Sequence, residues 1–95
     1  MKRYSILNNL SRCYYCGRKA QHIHEVYFGS NRLNSIKNGF CVGLCAWHHN
    51  LGGKESVHEN RKMDLELKRL YQKEYEKTHT REEFIQIIGR NYLDE

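Results

Sequence analysis

Residues 13–16 read Cys-Tyr-Tyr-Cys and are followed by Gly17. Two thiolates at that spacing can grip one metal ion, and the glycine lets the backbone turn so that amides face the sulfurs. Twenty-eight residues separate Cys16 from Cys45-Ala-Trp-His48, which repeats the spacing and completes a tetrahedral Cys-Cys-Cys-His set suited to structural zinc. A redox C-x-x-C would leave Cys45 and His48 without a role, and no βαβ pattern surrounds it. A set using Cys41 with Cys45 is an alternative, but Cys41 lies in the apolar run 40–44, where a free cysteine behaves as a small core hydrophobe. His49 is an alternative fourth ligand; the matched spacing favours His48 and leaves His49 for other chemistry. His22, His24, His49 and His58 then remain within 37 residues, with Glu25 adjacent. Neutral imidazole ligates divalent ions and accepts protons near neutral pH, so a second, open metal site is expected there. His79, in a Thr-His-Thr linker, reads as an ordinary polar residue.

The elements that must position these groups are short. Residues 20–28, AQHIHEVYF, are rich in β-branched and aromatic types and read as a strand closed by the turn-like Gly-Ser-Asn at 29–31. Period-two geometry places His22, His24, Val26 and Phe28 on one face and Ile23, Glu25 and Tyr27 on the other. Residues 31–39 form a loop or short helical turn, and GFCVGLC at 39–45 is a second strand, paired with the first as a hairpin. A helix or knuckle begins at Cys45 and is interrupted at LGGKES, because adjacent glycines oppose helix continuation. Beyond Asn60, Met63, Leu67, Leu70, Tyr71 and Tyr75 recur at helical spacing, and this amphipathic helix should pack its apolar face on the metal-binding half. Thr80-Arg-Glu-Glu83 is a capping-box pattern, opening a last short helix that stops at Gly89. Residues 1–12 show no clear period and read as an arm or short helix.

Ninety-five residues allow one domain: a core at 13–58 and a helical scaffold at 59–95. The expected class is α+β. No apolar run is long enough for a membrane span. Polar Asn8, Asn9, Ser11 and Arg12 interrupt what would have to be the apolar segment of a signal peptide, so a cytoplasmic location is expected. In that reducing setting structural disulfides are not expected, and a chain this small needs a staple, for which a metal is the natural candidate. Residues 1–58 carry eight Lys or Arg against two acids, whereas residues 59–95 carry eight against nine. Positive charge thus coincides with the unusual chemistry, which suggests a phosphate-bearing partner.

The order C-x2-C, histidine-bearing strand, Asn-Arg loop, Leu-Cys-x2-His-His and Val-His resembles the HNH endonuclease superfamily, with its ββα-metal, treble-clef-like zinc core. Over roughly residues 13–93, the segments HEVYFGSNRLNS, LCAWHHN, VHEN and GRNYL look like its small phage-encoded branch, related to the nuclease domain of phage recombination-enhancement proteins. The resemblance implies a zinc-stapled core followed by two C-terminal helices, and cleavage of phosphodiesters by one divalent cation and a histidine. Cys13, Cys16, Cys45 and His48 match the structural zinc ligands. Many members carry Asp-His or His-His on the first strand; this chain reads His24-Glu25. Either His24 holds the metal with Glu25 as base or second ligand, or His24 is the base. Asn31 matches the middle asparagine that orients the base, with Asn34 and Asn38 nearby; His49 matches the helical metal ligand, and His58 is a further candidate.

The implied reaction is hydrolysis of DNA first and RNA second, with Mg²⁺ or Mn²⁺ as the catalytic ion and Arg32 offsetting charge on the phosphate. Arg18, Lys19, Arg32, Lys37 and Lys54 are the expected nucleic-acid contacts. No helix shows a base-reading face, so backbone and shape recognition is expected. If phage-encoded, the protein would work in the host cytoplasm. The alternative function is a zinc-knuckle module that binds nucleic acid without cutting it; a protein-binding adaptor is a weaker third, since the helices carry no unusual apolar excess.

Overall fold

A computed structural model describes residues 2–93; the outermost residues of the expected domain, 1 and 94–95, lie outside this range. The chain forms a small α+β unit in the order β1 (His22–Glu25), α1 (Arg32–Lys37), β2 (Cys41–Leu44), α2 (Arg61–Tyr75) and α3 (Arg81–Ile88), with short helical turns at Gly29–Asn31, Trp47–Leu51 and Gly53–Glu55. β1 and β2 pair antiparallel, with His22 opposite Leu44, Ile23 opposite Gly43, His24 opposite Val42 and Glu25 opposite Cys41. None of the helices formed by the described residues is long and apolar enough to cross a membrane.

The first strand is shorter than its composition predicts. The ladder continues beyond it by single bonds, Gln21 N–H to Leu44 O (3.0 Å) and Val26 N–H to Phe40 O (2.9 Å). The period of two then breaks, because Val26 and Tyr27 are both buried. Tyr27 was expected on the face of Ile23 and Glu25. Instead its backbone is clamped by Ser35, whose hydroxyl donates to Tyr27 O (2.7 Å) and accepts from Tyr27 N–H (3.1 Å). Its phenol then points into the core and donates to the carbonyl of Lys68 on α2. Phe28 is left half exposed.

Phe40 organises the aromatic core, with Tyr27, Tyr75 and Phe84 at centroid distances of 5.2, 5.5 and 5.9 Å. Edge-on geometry dominates, as ring quadrupoles favour. α2 begins at Asn60, whose side chain accepts from Met63 N–H, and buries Leu67, Tyr71 and Tyr75 as its spacing predicts. The Tyr71 hydroxyl donates to Cys41 O (2.7 Å) and therefore accepts from the Ser5 hydroxyl (2.8 Å), tying helix, strand and N-terminal arm together. The capping box at Thr80 and Glu83 is present, and α3 ends on Gly89 at φ +89°.

The arm lies across β2 at Gly43. A Cβ there would come within 2.6 Å of Leu10 O and 2.7 Å of Arg12 O, so only glycine admits the arm, which leads directly to Cys13. Gly43→Ala should therefore displace it and lower stability by about 1–3 kcal/mol in chemical denaturation. An unchanged unfolding midpoint would contradict this packing.

Candidate functional site

Two clusters of ligating side chains meet on either side of one helical turn. The first is built on the knuckle. Cys13 N–H donates to Arg18 O (2.7 Å) and Gly17 N–H to Cys13 O (2.9 Å), with Gly17 at φ +74°, a conformation that favours glycine. Cys45 directly follows β2, and His48 lies in the turn Trp47–Leu51. Cys45 Sγ lies 3.3 Å from His48 Nδ1, Cys13 Sγ lies 3.6 Å from the same nitrogen, and Cys16 Sγ lies 3.8 Å from Cys45 Sγ. All four ligand atoms fall within 4.8 Å of one another.

These separations are too long for a disulfide and match the edges of a tetrahedron around zinc, about 3.8 Å between sulfurs and about 3.5 Å between sulfur and nitrogen. The set is compatible with a metal such as zinc. Burial works against a Cys13 thiolate, but backbone amides of Cys45, Cys16 and Tyr15 donate to its sulfur and bring the pKa down to about 6. Cys41 is outside the cluster, fully buried in β2, where burial pushes its thiol up to about 11.

The second cluster is made of imidazoles. His24 projects from β1 into the interior and is only 3% exposed. His49 follows His48 in the turn. The chain after Gly53–Glu55 folds back, with Val57 N–H on His48 O (2.9 Å) and His58 N–H on His49 O (3.2 Å), and this brings His58 over His49. Their Nε2 atoms are 3.0 Å apart, and the ligand atoms of His24, His49 and His58 lie within 4.8 Å of one another. His24 Nε2 and His49 Nδ1 are buried without a hydrogen-bond partner among the described residues, an arrangement that costs free energy unless something else fills the valence. Burial, then the charges of His58, His49 and Lys68, lower the His24 pKa to about 3; burial, then His58 and His22, lower His49 to about 4. Both rings are therefore neutral at pH 7 with lone pairs available, which suits a cation.

Other residues singled out by the sequence go elsewhere. Glu25 bonds Arg32 (2.9 Å) and Arg3 (3.3 Å) and is not among the converging ligands. Asn31 donates to Ile88 O (2.8 Å) and accepts from Asn34, which donates also to Ile87 O (2.9 Å). Asn38 donates to Asn34 O. The Asn31 and Asn34 amides pin α1 to the end of α3, and Asn38 caps α1 itself, rather than reach the imidazoles. Arg32 is held by Glu25. Arg18 and Lys19 are exposed beside the sulfur cluster, Lys37 in the last turn of α1 and Lys54 in the turn Gly53–Glu55.

Two groups near the imidazoles, Asp64 and Lys68, lie outside the half of the chain that carries the Cys and His motifs. Lys68, 7% exposed, places Nζ 2.6 Å from both carboxylate oxygens of Asp64 and 4.1 Å over the Phe28 ring. A cavity of about 390 Å³ lined by Phe28, His58, Arg61 and Asp64, among others, opens beside the cluster. The i,i+4 pairing of Asp64 and Lys68 was visible in the sequence, but the return of α2 to β1 was not. His22 stacks on His49 at 4.6 Å.

No protein-family model, curated protein or solved structure matches the chain.

The sulfur cluster should hold one zinc ion per chain that survives desalting, and a strong chelator should unfold the protein. Cys13→Ala should lose the ion and Cys41→Val should keep it, as read by elemental analysis. Loss of zinc in Cys41→Val would mean that the ligand set is wrong.

Proposed function

We propose that the protein is a metal-dependent endonuclease of the HNH type, a zinc-stapled ββα-metal core that hydrolyses nucleic-acid phosphodiesters, DNA first and RNA second. One observation carries this reading: after four ligands are assigned to the sulfur cluster, His24, His49 and His58 still converge on a separate point, with buried ring nitrogens left unbonded. A module that only binds nucleic acid has no use for that convergence.

The donor chemistry fits a divalent ion and discriminates among ions. Imidazole suits first-row transition ions, whereas Mg²⁺ prefers oxygen, so Mn²⁺ is the better match of the two expected ions. His24, His49 and His58 would hold the cation, which would supply Lewis-acid stabilisation of the charge that builds on the scissile phosphate. Burial and weak proton affinity suit His24 to ligation rather than to general-base work. Glu25, committed to two arginines and one residue along the strand, faces away from His24 and serves to steady β1 against the arm and α1. His22, exposed and stacked on His49, is the remaining imidazole next to the set and takes the proton of the attacking water.

A second reading, binding without cleavage, has its own support: Glu25 and Asn31, both expected at the reacting centre, are engaged in bonds that hold the fold.

With Mn²⁺, the protein should cut single-stranded, duplex or branched DNA. His49→Ala and His24→Ala should each reduce the rate by about 100-fold or more while zinc content stays at one, and His22→Ala should lose about 100-fold without loss of cation binding. Glu25→Gln should lose less than either ligand variant. If no substrate is cut with Mn²⁺, Mg²⁺ or another first-row ion, binding without cleavage replaces this reading.

A further inference from the structure

Trp47 is half exposed, at 50%, yet its ring is held. The indole Nε1–H donates to Glu55 Oε1 (2.8 Å), and the turn closes with Gly52 N–H on Trp47 O (2.8 Å). A Cβ at Gly52 would sit 2.8 Å from Nε1 and 2.9 Å from Cδ1, so the indole lies against bare backbone, where no larger residue fits. A large apolar ring kept at the surface in one orientation is presented rather than merely tolerated.

Beside it opens a cavity of about 300 Å³ lined by Arg18, Lys19, Gln21, Cys45 and Trp47. Arg18 and Lys19 form no ion pair among the described residues, and Gln21 uses its Oε1 to accept Ala46 N–H (2.8 Å) at the start of the turn. The two cations follow Cys16 by two and three residues, and Trp47 follows Cys45 by two. The sulfur cluster therefore sets the distance between the cationic wall and the aromatic wall.

We propose that this cavity binds one unpaired nucleobase stacked on Trp47, with its flanking phosphates at Arg18 and Lys19, so that the substrate class is single-stranded or locally unpaired nucleic acid. A base inside a duplex has both faces covered by its neighbours, whereas an unpaired base offers a free face to an aromatic ring. Stacking needs no hydrogen-bond readout, in keeping with the backbone and shape recognition expected from the sequence, and the two cations match phosphates on either side. The proposal deepens the nuclease reading but rests only on its nucleic-acid-binding part.

Trp47 is the single tryptophan, so its emission reports on this cavity alone. Without added divalent ion, the zinc-loaded protein is titrated with oligo(dT) and oligo(U) of about ten nucleotides and with a blunt duplex. Strong quenching by one or both single strands, with emission little changed by the duplex, is expected; the two strands tell DNA from RNA. Trp47→Ala should weaken single-strand affinity about 5- to 100-fold by anisotropy of a labelled oligonucleotide, with zinc content unchanged, and Trp47→Phe should recover most of it. Arg18→Ala and Lys19→Ala should each reduce the salt dependence of binding. No quenching by either single strand, equal quenching by the duplex, or wild-type affinity in Trp47→Ala overturns the proposal. Quenching without cleavage under any ion would leave this cavity standing and remove the nuclease, whereas cleavage without quenching would do the reverse.

Discussion

Three consecutive side chains, Trp47, His48 and His49, face three different environments, and the chemistry of the molecule depends on the turn that separates them. His49 N–H bonds Cys45 O (3.0 Å) at the α-helical spacing, but Gly52 N–H bonds Trp47 O (2.8 Å) five residues back, so the turn Trp47–Leu51 is wider than an α-helix. Wide turns of this kind are rare and concentrate at functional sites. His48 joins the three sulfurs, His49 joins His24 and His58, and Trp47 lies against Gly52 beside Arg18 and Lys19.

The turn is held from both ends. β2 delivers Cys45, and its pairing with β1 places His24 opposite Val42, on the strand that runs past the turn. Val57 and His58 return to bond the carbonyls of His48 and His49, closing the turn from the other side. Beneath the sheet, Tyr71 and Tyr27 each direct a phenol to a backbone carbonyl, Cys41 O and Lys68 O, so α2 is locked to β2 and to the segment that follows β1 by buried bonds that would be costly to leave unmade. That lock brings the Asp64–Lys68 pair beside Phe28 and the imidazoles.

The two clusters differ in the way their ligands are prepared. At the sulfur cluster, backbone amides stabilise a thiolate on Cys13 against the cost of burial, as expected where a closed tetrahedral site supports the fold. At the imidazole cluster, burial lowers the pKa of His24 and His49, and two of their ring nitrogens have no hydrogen-bond partner among the described residues. The first cluster offers four ligand atoms, the number a closed tetrahedral site takes; the second offers three.

Much of this was legible in the order of residues. The Cys-x2-Cys and Cys-x2-His pairs, the exclusion of Cys41, the helix after Asn60 and the capping box at Thr80 all follow from spacing within one segment, because metal knuckles, amphipathic faces and caps are local geometries. The convergence of His24, His49 and His58 was suggested by residue type but decided by a strand register and a chain reversal, which join positions far apart in sequence. Glu25 and Asn31 show the same limit from the other side: their types suited catalysis, yet Arg3, Arg32 and the carbonyl of Ile88 claim them. Tyr27 left its expected face because Ser35, eight residues on, clamps its backbone. The sequence by itself determined which groups can ligate and which local elements form; only the tertiary structure decided which of those groups face one another, since that depends on pairing and packing partners that no local pattern names.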